Sequence, residues 1–184
     1  MKVTCKRKGP HPPVLNFLRK SLTAPFKVGL GVALIYIDHK LLLRDTMNKS
    51  MQEIEDEIVE EFELFDDQMD KYEHIIDSGK KLKPLDPKYM TDDFVVKGCQ
   101  SKVWLHAYKQ DDLVFFEADS NSSITKGIIA LLVRVLSGQK PEDIIQNPLA
   151  FIDRVNLRAH LSSQRSNGLT AMIQRIKTYA GAFA

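Results

Sequence analysis

The order of hydrophobic patterns along the chain predicts an α+β fold, in which a small three-stranded antiparallel sheet packs against several helices. Apolar residues first recur every three or four positions, then alternate in short runs, and then return to helical spacing. Separate groups of strands and helices are typical of α+β proteins, whose helices cover one face of an antiparallel sheet. With 184 residues, 43% of them hydrophobic and 27% charged, the chain has the composition of an ordinary globular protein.

A long amphipathic helix is predicted from Glu53 to about Ser78, with Gly79 as its end. Its apolar face is formed by Ile54, Ile58, Phe62, Phe65, Met69, Tyr72 and Ile76. The acidic residues of this stretch fall on the opposite face, where contact with water is the simplest interpretation. Pro84 and Pro87 then indicate a loop that leads into the sheet.

Three short strands are predicted over residues 94–96, 103–108 and 113–118. Alternation in the second strand sends Val103 and Leu105 to one face and Trp104 and His106 to the other. The polar connection 109–112 is short enough for an antiparallel hairpin. His106 is therefore interpreted as a structural strand residue.

The remaining chain predicts helices. Asn121 or Ser122 can cap a helix that carries a strongly apolar face and ends at Gly138. Pro141 begins a short helix, and a further turn or helix follows Pro148. A last helix is predicted from about residue 167 to 180. No internal repeat interrupts this order.

The first 46 residues differ in charge from the rest and are interpreted as an extension, with the domain at 47–184. They contain nine lysines and arginines against Asp38 and Asp45, a net charge of +7, while the remaining 17 basic and 22 acidic residues give −5. A targeting segment and a basic patch for membranes or nucleic acid are two interpretations. An over-extended start is the third and is favoured, because Met47 and Met51 stand immediately before the periodic region.

Cysteine and histidine usage excludes several kinds of site. Cys5 and Cys99 are the only cysteines, so neither a disulfide framework nor a four-cysteine metal or iron-sulfur site can form. The five histidines show no metal-ligand spacing, and we expect no bound metal. Sparse cysteines favour a reducing compartment, and the cytoplasm is the expected location.

Cys99 is the candidate for chemistry. It follows Gly98 at the end of an apolar strand and lies between Lys97 and Lys102. An isolated cysteine is more often a small buried hydrophobe than a nucleophile. However, the thiolate is the reactive form of the side chain, and nearby cations lower the thiol pKa. A glycine also allows a backbone bend that other residues resist.

Four stretches, in order, resemble the SufE/CsdE family of sulfur acceptors. Residues 96–104, V-K-G-C-Q-S-K-V-W, resemble its cysteine signature, and 118–127, A-D-S-N-S-S-I-T-K-G, resemble its stretch G-D-S-D-A-x-I-V-K-G. Residues 161–173 resemble L-x-x-x-R-x-x-G-L-x-A-M-I, and 69–79 are similar to the end of its first helix. The resemblance covers about residues 51–180.

The resemblance implies a SufE/IscU-like fold and a role in iron-sulfur cluster assembly. In such a role Cys99 accepts persulfide sulfur from a cysteine desulfurase of the SufS/CsdA type, and the chain stimulates that enzyme. The sulfur then passes to an iron-sulfur scaffold of the SufBCD type. The implied loop moves the cysteine between a tucked position and an exposed one. No cofactor is expected in this chain, because pyridoxal phosphate would belong to the desulfurase. The chain is expected to be a monomer or homodimer that binds neither nucleic acid nor membrane.

The resemblance also assigns residues. Arg165 matches the family's arginine and is the second predicted catalytic residue, since a permanent cation can stabilise a thiolate or pair with a partner's carboxylate. The predicted persulfide loop adds Lys97, Gly98, Gln100 and Ser101, and the predicted partner-binding residues are Asp119, Ser120 and Asn121. This chain departs from the family pattern at Asn121 and Ser122, which replace an aspartate and an alanine, so less negative charge is presented there.

Two other interpretations stay open from the residues. The chain can be an interaction module that activates a cysteine desulfurase by contact alone, in which case Cys99→Ser keeps full stimulation. It can also be a single-cysteine enzyme that reacts with peroxide, although the proline and threonine neighbours typical of such sites are absent around Cys99.

Overall fold

The computed structural model describes residues 49–184, and the predicted extension 1–46 lies outside the described residues. The described part has the following elements: α1 (Met51–Glu63), α2 (Gln68–Lys80), β1 (Val103–Gln110), β2 (Leu113–Ser120), α3 (Ser123–Leu136), α4 (Pro141–Gln146), α5 (Phe151–Arg154) and α6 (Ser163–Phe183). Short 3₁₀ turns lie at Pro87–Tyr89, Asp92–Phe94 and Leu157–His160. The combination of helices with an antiparallel sheet confirms the α+β class.

The prediction of one long helix from Glu53 to about Ser78 is wrong, because two helices, α1 and α2, occupy this stretch. Ser50 and Glu53 form a capping box at the start of α1. The Asp67 carboxylate accepts the Met69 backbone N–H and begins α2 as a new helix. An aspartate that binds a backbone N–H nearby competes with helix continuation, so the chain bends between Glu63 and Gln68.

The sheet has two strands in the described region, so the predicted three-stranded sheet is not confirmed. β1 and β2 pair from Val103 opposite Ser120 to Gln110 opposite Leu113. The predicted strand 94–96 contributes only an isolated bridge between Val95 and Trp104, and its residue Phe94 belongs to a 3₁₀ turn. The segment is confined between that turn and the bend at Gly98, which leaves no length for a ladder.

The predicted hairpin is present, with strands longer than expected and a connection of Asp111 and Asp112 alone. Asp111 has a φ of 54°, a left-handed conformation that aspartate tolerates in turns. Val103 and Leu105 are fully buried, as the alternation predicted. This face packs on the core together with the buried residues of β2, while Trp104 is only partly buried.

Helix α3 is the centre of the core and crosses α2 at two glycines. A Cβ atom on Gly127 would lie 1.9 Å from the Ile75 carbonyl oxygen, and one on Gly79 would lie 2.8 Å from the Gly127 nitrogen. The two backbones therefore meet directly, which only glycine permits. This close crossing holds α3 in a fixed position behind the predicted cysteine loop.

Helix α6 begins earlier than predicted, at Ser163, because the Ser162 hydroxyl accepts the Arg165 N–H as an N-cap. At the other end of the domain the buried Glu55 carboxylate accepts the Phe151 N–H at 3.0 Å and ties α1 to the start of α5. None of the helices between residues 49 and 184 has the length and apolar character that crossing a membrane requires.

Candidate functional site

Cys99 lies on a loop, residues 97–101, that is fixed at both ends. On the N-terminal side the Val96 N–H donates to the Val103 carbonyl at 2.8 Å. On the C-terminal side the Lys102 N–H donates to Asn121 Oδ1 at 3.0 Å. Gly98, at a φ of 93°, supplies the bend between the anchors, as the sequence predicted. Among the hydrogen bonds of residues 49–184, only one joins the loop 97–101 to another element.

That hydrogen bond holds the cysteine against helix α6. The Cys99 thiol donates to the Gly168 carbonyl oxygen at 3.5 Å. A Cβ atom on Gly168 would lie 3.4 Å from Cys99 Sγ, which is ordinary van der Waals contact, so the sulfur packs directly against the helix at this glycine. Gly98 also lies against α6, since a Cβ there would be in ordinary contact with the Ala171 Cβ at 3.4 Å. The loop is therefore in a tucked conformation on α6.

A small cavity lies beside the sulfur. Its volume is about 10 Å³, which is roughly what one water molecule needs. Its lining residues come from the loop, α3 and the first turns of α6: Cys99, Gln100, Ser101, Thr125, Ile128, Gln164, Arg165, Gly168 and Met172. The structure thus brings together four of the residues singled out in the sequence, Cys99, Gln100, Ser101 and Arg165, in one site.

Burial raises the pKa of the Cys99 thiol above its ordinary value. The expected lowering by Lys97 and Lys102 is therefore wrong for the tucked conformation. Both lysines are exposed, and Lys102 Nζ lies 3.6 Å from Asp92 Oδ1. Charges surrounded by water are screened, whereas removal of the sulfur from water disfavours the thiolate. The tucked thiol is therefore protected and weakly nucleophilic.

Arg165 reaches the cavity from the first turn of α6 and is half-buried. Of the carboxylates that the structure describes, none forms an ion pair with its guanidinium. By contrast, Lys126 on α3 is paired with Asp119 Oδ1 at 2.8 Å. Arg165 is thus a cation in the cavity wall that no carboxylate of residues 49–184 neutralises through an ion pair.

The predicted partner-binding residues are attached to the C-terminal end of the cysteine loop. The Ser120 hydroxyl donates to the Lys102 carbonyl at 2.8 Å, and the Asn121 N–H donates to the same oxygen at 3.2 Å. With the bond from Lys102 N–H to Asn121 Oδ1, three hydrogen bonds form a clamp on Lys102. Asp119 accepts the Ser120 N–H at 2.7 Å and pairs with Lys126. Their polar groups therefore already have partners within the domain.

Lys97 faces a different cavity from the one beside Cys99. It lines an open cleft of about 460 Å³ between the segment 92–97 and α6, together with Asp93 and Arg175. This cleft is larger than the cavity beside Cys99, but none of the residues that line it is a cysteine. The chemistry of the site therefore belongs to the smaller cavity, and Lys97 marks only the edge of the loop.

The histidines of the described region do not gather into a metal site. His106 is stacked on Tyr89, with ring centroids 3.6 Å apart, and its Nδ1 lies 3.5 Å from Glu117 Oε2. No group of three or more His, Cys, Asp and Glu side chains between residues 49 and 184 is arranged to hold a metal ion. The stacking supports the structural interpretation of His106.

A tucked cysteine beside a glycine bend is the arrangement that the four stretches led us to expect. Residues 56–180 match the family model described as SufE, Fe-S metabolism associated domain. The chain belongs to the SufE family. An uncharacterized SufE-like protein of Rhizobium meliloti is 35% identical over 130 residues, which cover 68% of this chain and 93% of that protein.

Other SufE-like relatives match over similar regions. The sulfur acceptor protein CsdE of Escherichia coli is 34% identical over 109 residues, 58% of this chain and 74% of that protein. SufE-like protein 1, chloroplastic/mitochondrial, of Arabidopsis thaliana is 38% identical over 125 residues, 67% of this chain and 34% of that protein. A solution structure of a hypothetical protein from Thermus thermophilus has a TM-score of 0.60 at 20% identity, covering 71% of this chain and 95% of that chain. This last similarity supports the fold alone.

Two positions of the SufE site were missed by the sequence reasoning. Gly168 was quoted in a family stretch without a role, yet its carbonyl and its missing side chain receive the thiol. Thr125 lines the cavity at 5% exposure and stands where the quoted family stretch has valine. Comparison of that stretch letter by letter was the signal that could have identified Thr125.

Proposed function

We propose that Cys99 accepts sulfur as a persulfide from a cysteine desulfurase, stimulates that enzyme by removing its sulfur, and delivers the sulfur to an iron-sulfur scaffold. The observation that carries the proposal is the position of the Cys99 thiol beside a cavity of about 10 Å³, on a loop that makes one hydrogen bond to other elements within residues 49–184. A sulfur carrier needs such a combination of access and shelter, because a persulfide is readily destroyed by thiols and oxidants. Membership of the SufE family supports the same role.

The transfer is an exchange between sulfur atoms. The Cys99 thiolate attacks the outer sulfur of the desulfurase persulfide, and a bond forms between Cys99 Sγ and that atom. The sulfur–sulfur bond of the donor breaks, and its electron pair leaves on the donor's cysteine sulfur as a thiolate. The outer sulfur moves at constant oxidation level, so no external oxidant or reductant is needed. Pyridoxal phosphate acts earlier, in the desulfurase, and this chain needs no cofactor of its own.

The raised pKa of the tucked thiol favours a cycle with two loop conformations. In the tucked conformation Cys99 is neutral and unreactive. Release of the bond to the Gly168 carbonyl frees the loop 97–101 to move out, where water and cations favour the thiolate. Arg165, a half-buried cation that pairs with none of the carboxylates in residues 49–184, would stabilise sulfur anions in the cavity or pair with a partner's carboxylate. We assign Cys99 as the sulfur acceptor and Arg165 as its electrostatic support.

Asp119, Ser120 and Asn121 adjoin the loop, so a protein that reaches the exposed Cys99 would also meet them. In this chain the loop clamp includes an amide at Asn121 where the family stretch has a carboxylate. We infer that these residues contribute to partner contact mainly by setting the loop's C-terminal hinge. The cytoplasmic location remains a prediction.

Sulfur uptake can be tested directly. The chain is incubated with a pyridoxal-phosphate cysteine desulfurase and cysteine, and intact-mass and peptide analysis should find one added sulfur atom on Cys99. An unmodified Cys99 while the desulfurase turns over would refute the proposal. The matched variant Cys99→Ser should take up no sulfur and lose stimulation. Full stimulation by Cys99→Ser would instead favour activation by contact alone.

A further inference from the structure

We propose that the Thr125 hydroxyl donates a hydrogen bond to the outer sulfur of the Cys99 persulfide when the loaded loop is tucked, and that this bond retains the sulfur. The inference rests on the proposed function, because it concerns the state after sulfur uptake. It begins from a chain-specific feature, a threonine in a cavity wall where the quoted family stretch has valine.

The cavity beside Cys99 has room for little more than one added atom. Its volume of about 10 Å³ lies directly against the sulfur, between the loop and the two helices. A persulfide has one more heavy atom beyond Sγ. The loaded cysteine can therefore stay in the tucked position with its outer sulfur in this space, after a small adjustment of the side chains that line it.

The outer sulfur of a persulfide needs a hydrogen-bond donor, whereas the neutral thiol needs an acceptor. A persulfide is a stronger acid than the thiol from which it forms, so its outer sulfur is anionic at neutral pH. The Gly168 carbonyl serves the neutral thiol as an acceptor but cannot donate to an anion. The apolar wall of Ile128 and Met172 offers no donor either. A buried anion without hydrogen bonds is costly, so another group must donate.

Thr125 is the most buried side-chain donor among the residues that line the cavity. Gln100 and Gln164 are exposed, and Ser101 and Arg165 are half-buried, whereas Thr125 is only 5% exposed. The Arg165 cation can add charge stabilisation from the cavity wall, but its guanidinium is on a long side chain that must be ordered. An exposed donor must exchange a bond with water for the bond to sulfur, and its side chain must be ordered. Thr125 is already desolvated and lies on α3, which the glycine crossing with α2 holds in place.

The present hydrogen-bond partner of the Thr125 hydroxyl allows that hydroxyl to donate to the outer sulfur instead. In the unloaded protein Thr125 Oγ1 donates to Ser122 Oγ at 3.2 Å. Hydroxyl hydrogens rotate, and each hydroxyl can donate and accept. When sulfur enters, Thr125 can donate to the outer sulfur while it accepts from the Ser122 hydroxyl. No buried hydroxyl then loses its hydrogen bond.

The test measures how long the loaded sulfur survives. Wild type, Thr125→Val, Thr125→Ser and Ser122→Ala are loaded with a cysteine desulfurase and cysteine, separated from it, and exposed to dithiothreitol. Intact mass then gives the fraction of persulfide against time. Loss of a hydrogen bond to a charged group should make Thr125→Val lose its sulfur roughly tenfold faster. Thr125→Ser and Ser122→Ala, which keep the hydroxyl at position 125, should stay within about twofold of wild type.

Alkylation of the unloaded protein distinguishes this hydrogen-bonding role from a purely structural role of Thr125. The unloaded thiol binds the Gly168 carbonyl, so iodoacetamide should alkylate wild type and Thr125→Val at rates within about twofold of each other. Equal acceleration of alkylation and sulfur loss would overturn the inference, as would equal sulfur loss in all four proteins.

Failure of the proposed function gives a different result. If wild type takes no sulfur from the desulfurase, the loading is repeated with an organic persulfide. There the Cys99 thiolate takes the outer sulfur and an organic thiolate leaves. The same comparison of decay rates then tests Thr125 independently of the desulfurase. Faster sulfur loss from Thr125→Val than from Thr125→Ser supports the inference, and equal loss from the two variants overturns it.

Discussion

Helix α3 lines the cavity beside the cysteine loop 97–101 and also crosses α2, and these two regions use glycine for opposite purposes. At the crossing, Gly127 is required because a Cβ would meet the Ile75 carbonyl at 1.9 Å. In the loop, Gly98 has space, with its nearest neighbour at 3.4 Å, and is required by its φ of 93°. The first glycine fixes two backbones together, and the second allows the bend of a segment that makes one hydrogen bond to other elements within residues 49–184. The proposed sulfur transfer would use both, a rigid wall and a cover that opens.

The largest effect is expected at the crossing. Gly127→Ala cannot be accommodated without separating α2 from α3, and we expect it to reduce the free energy of unfolding by about 3 kcal/mol or more. Urea denaturation followed by circular dichroism measures the change. Gly181→Ala is the matched control, because a Cβ there meets nothing within 4 Å and alanine favours a helix by up to about 1 kcal/mol. Equal stability of Gly127→Ala and wild type would contradict the close crossing.

The loop glycine should change reactivity more than stability. Gly98→Ala strains the tucked backbone by about 1 to 2 kcal/mol, so the loop should open more often and iodoacetamide should alkylate Cys99 about 5- to 30-fold faster. Gly138→Ala is the control, since Gly138 has a φ of 77° and a neighbour at the same 3.4 Å but lies away from the loop. It should lose comparable stability without faster alkylation. Similar alkylation of both variants would indicate that the loop does not open at Gly98.

A smaller effect is expected where the loop is clamped. Asn121→Ala removes the acceptor of the Lys102 N–H, which is worth about 1 kcal/mol, and should accelerate alkylation of Cys99 about fivefold. Asn121→Asp keeps an oxygen acceptor and should alkylate at nearly the wild-type rate. If Asn121→Ala also matches wild type, the clamp does not control access to Cys99.

The smallest effect concerns pH. Because burial raises the pKa of Cys99, its alkylation rate should have a midpoint above the value of about 8.5 for a free thiol. The neutral thiol is the form favoured in the folded protein. This contribution to stability is therefore fully present below the unfolded pKa and is lost as pH rises through the folded pKa. A midpoint at or below the free-thiol value would mean that cations, rather than burial, dominate around the tucked sulfur.

Local patterns predicted much of the fold and the centre of the site. The hairpin, the buried faces of β1 and the helix after it follow from alternation and helical spacing that neighbouring residues enforce. The break between α1 and α2 was missed because Phe65 and Met69 continue the helical spacing, although Met69 is 64% exposed. The bond from Met69 N–H to Asp67 decides the break, and hydrophobic spacing does not register it.

By itself the sequence determined the α+β class, the SufE family and the candidate residues, because these depend on residue types and their order. Only the tertiary structure decided that the Gly168 carbonyl receives the thiol, that Asn121 clamps Lys102, and that Thr125 joins the cavity wall. It also reversed the expected direction of the Cys99 pKa. The physical reason is that desolvation and hydrogen bonding depend on which distant segments come into contact. The residues adjacent to Cys99 in the sequence do not indicate which segments these are.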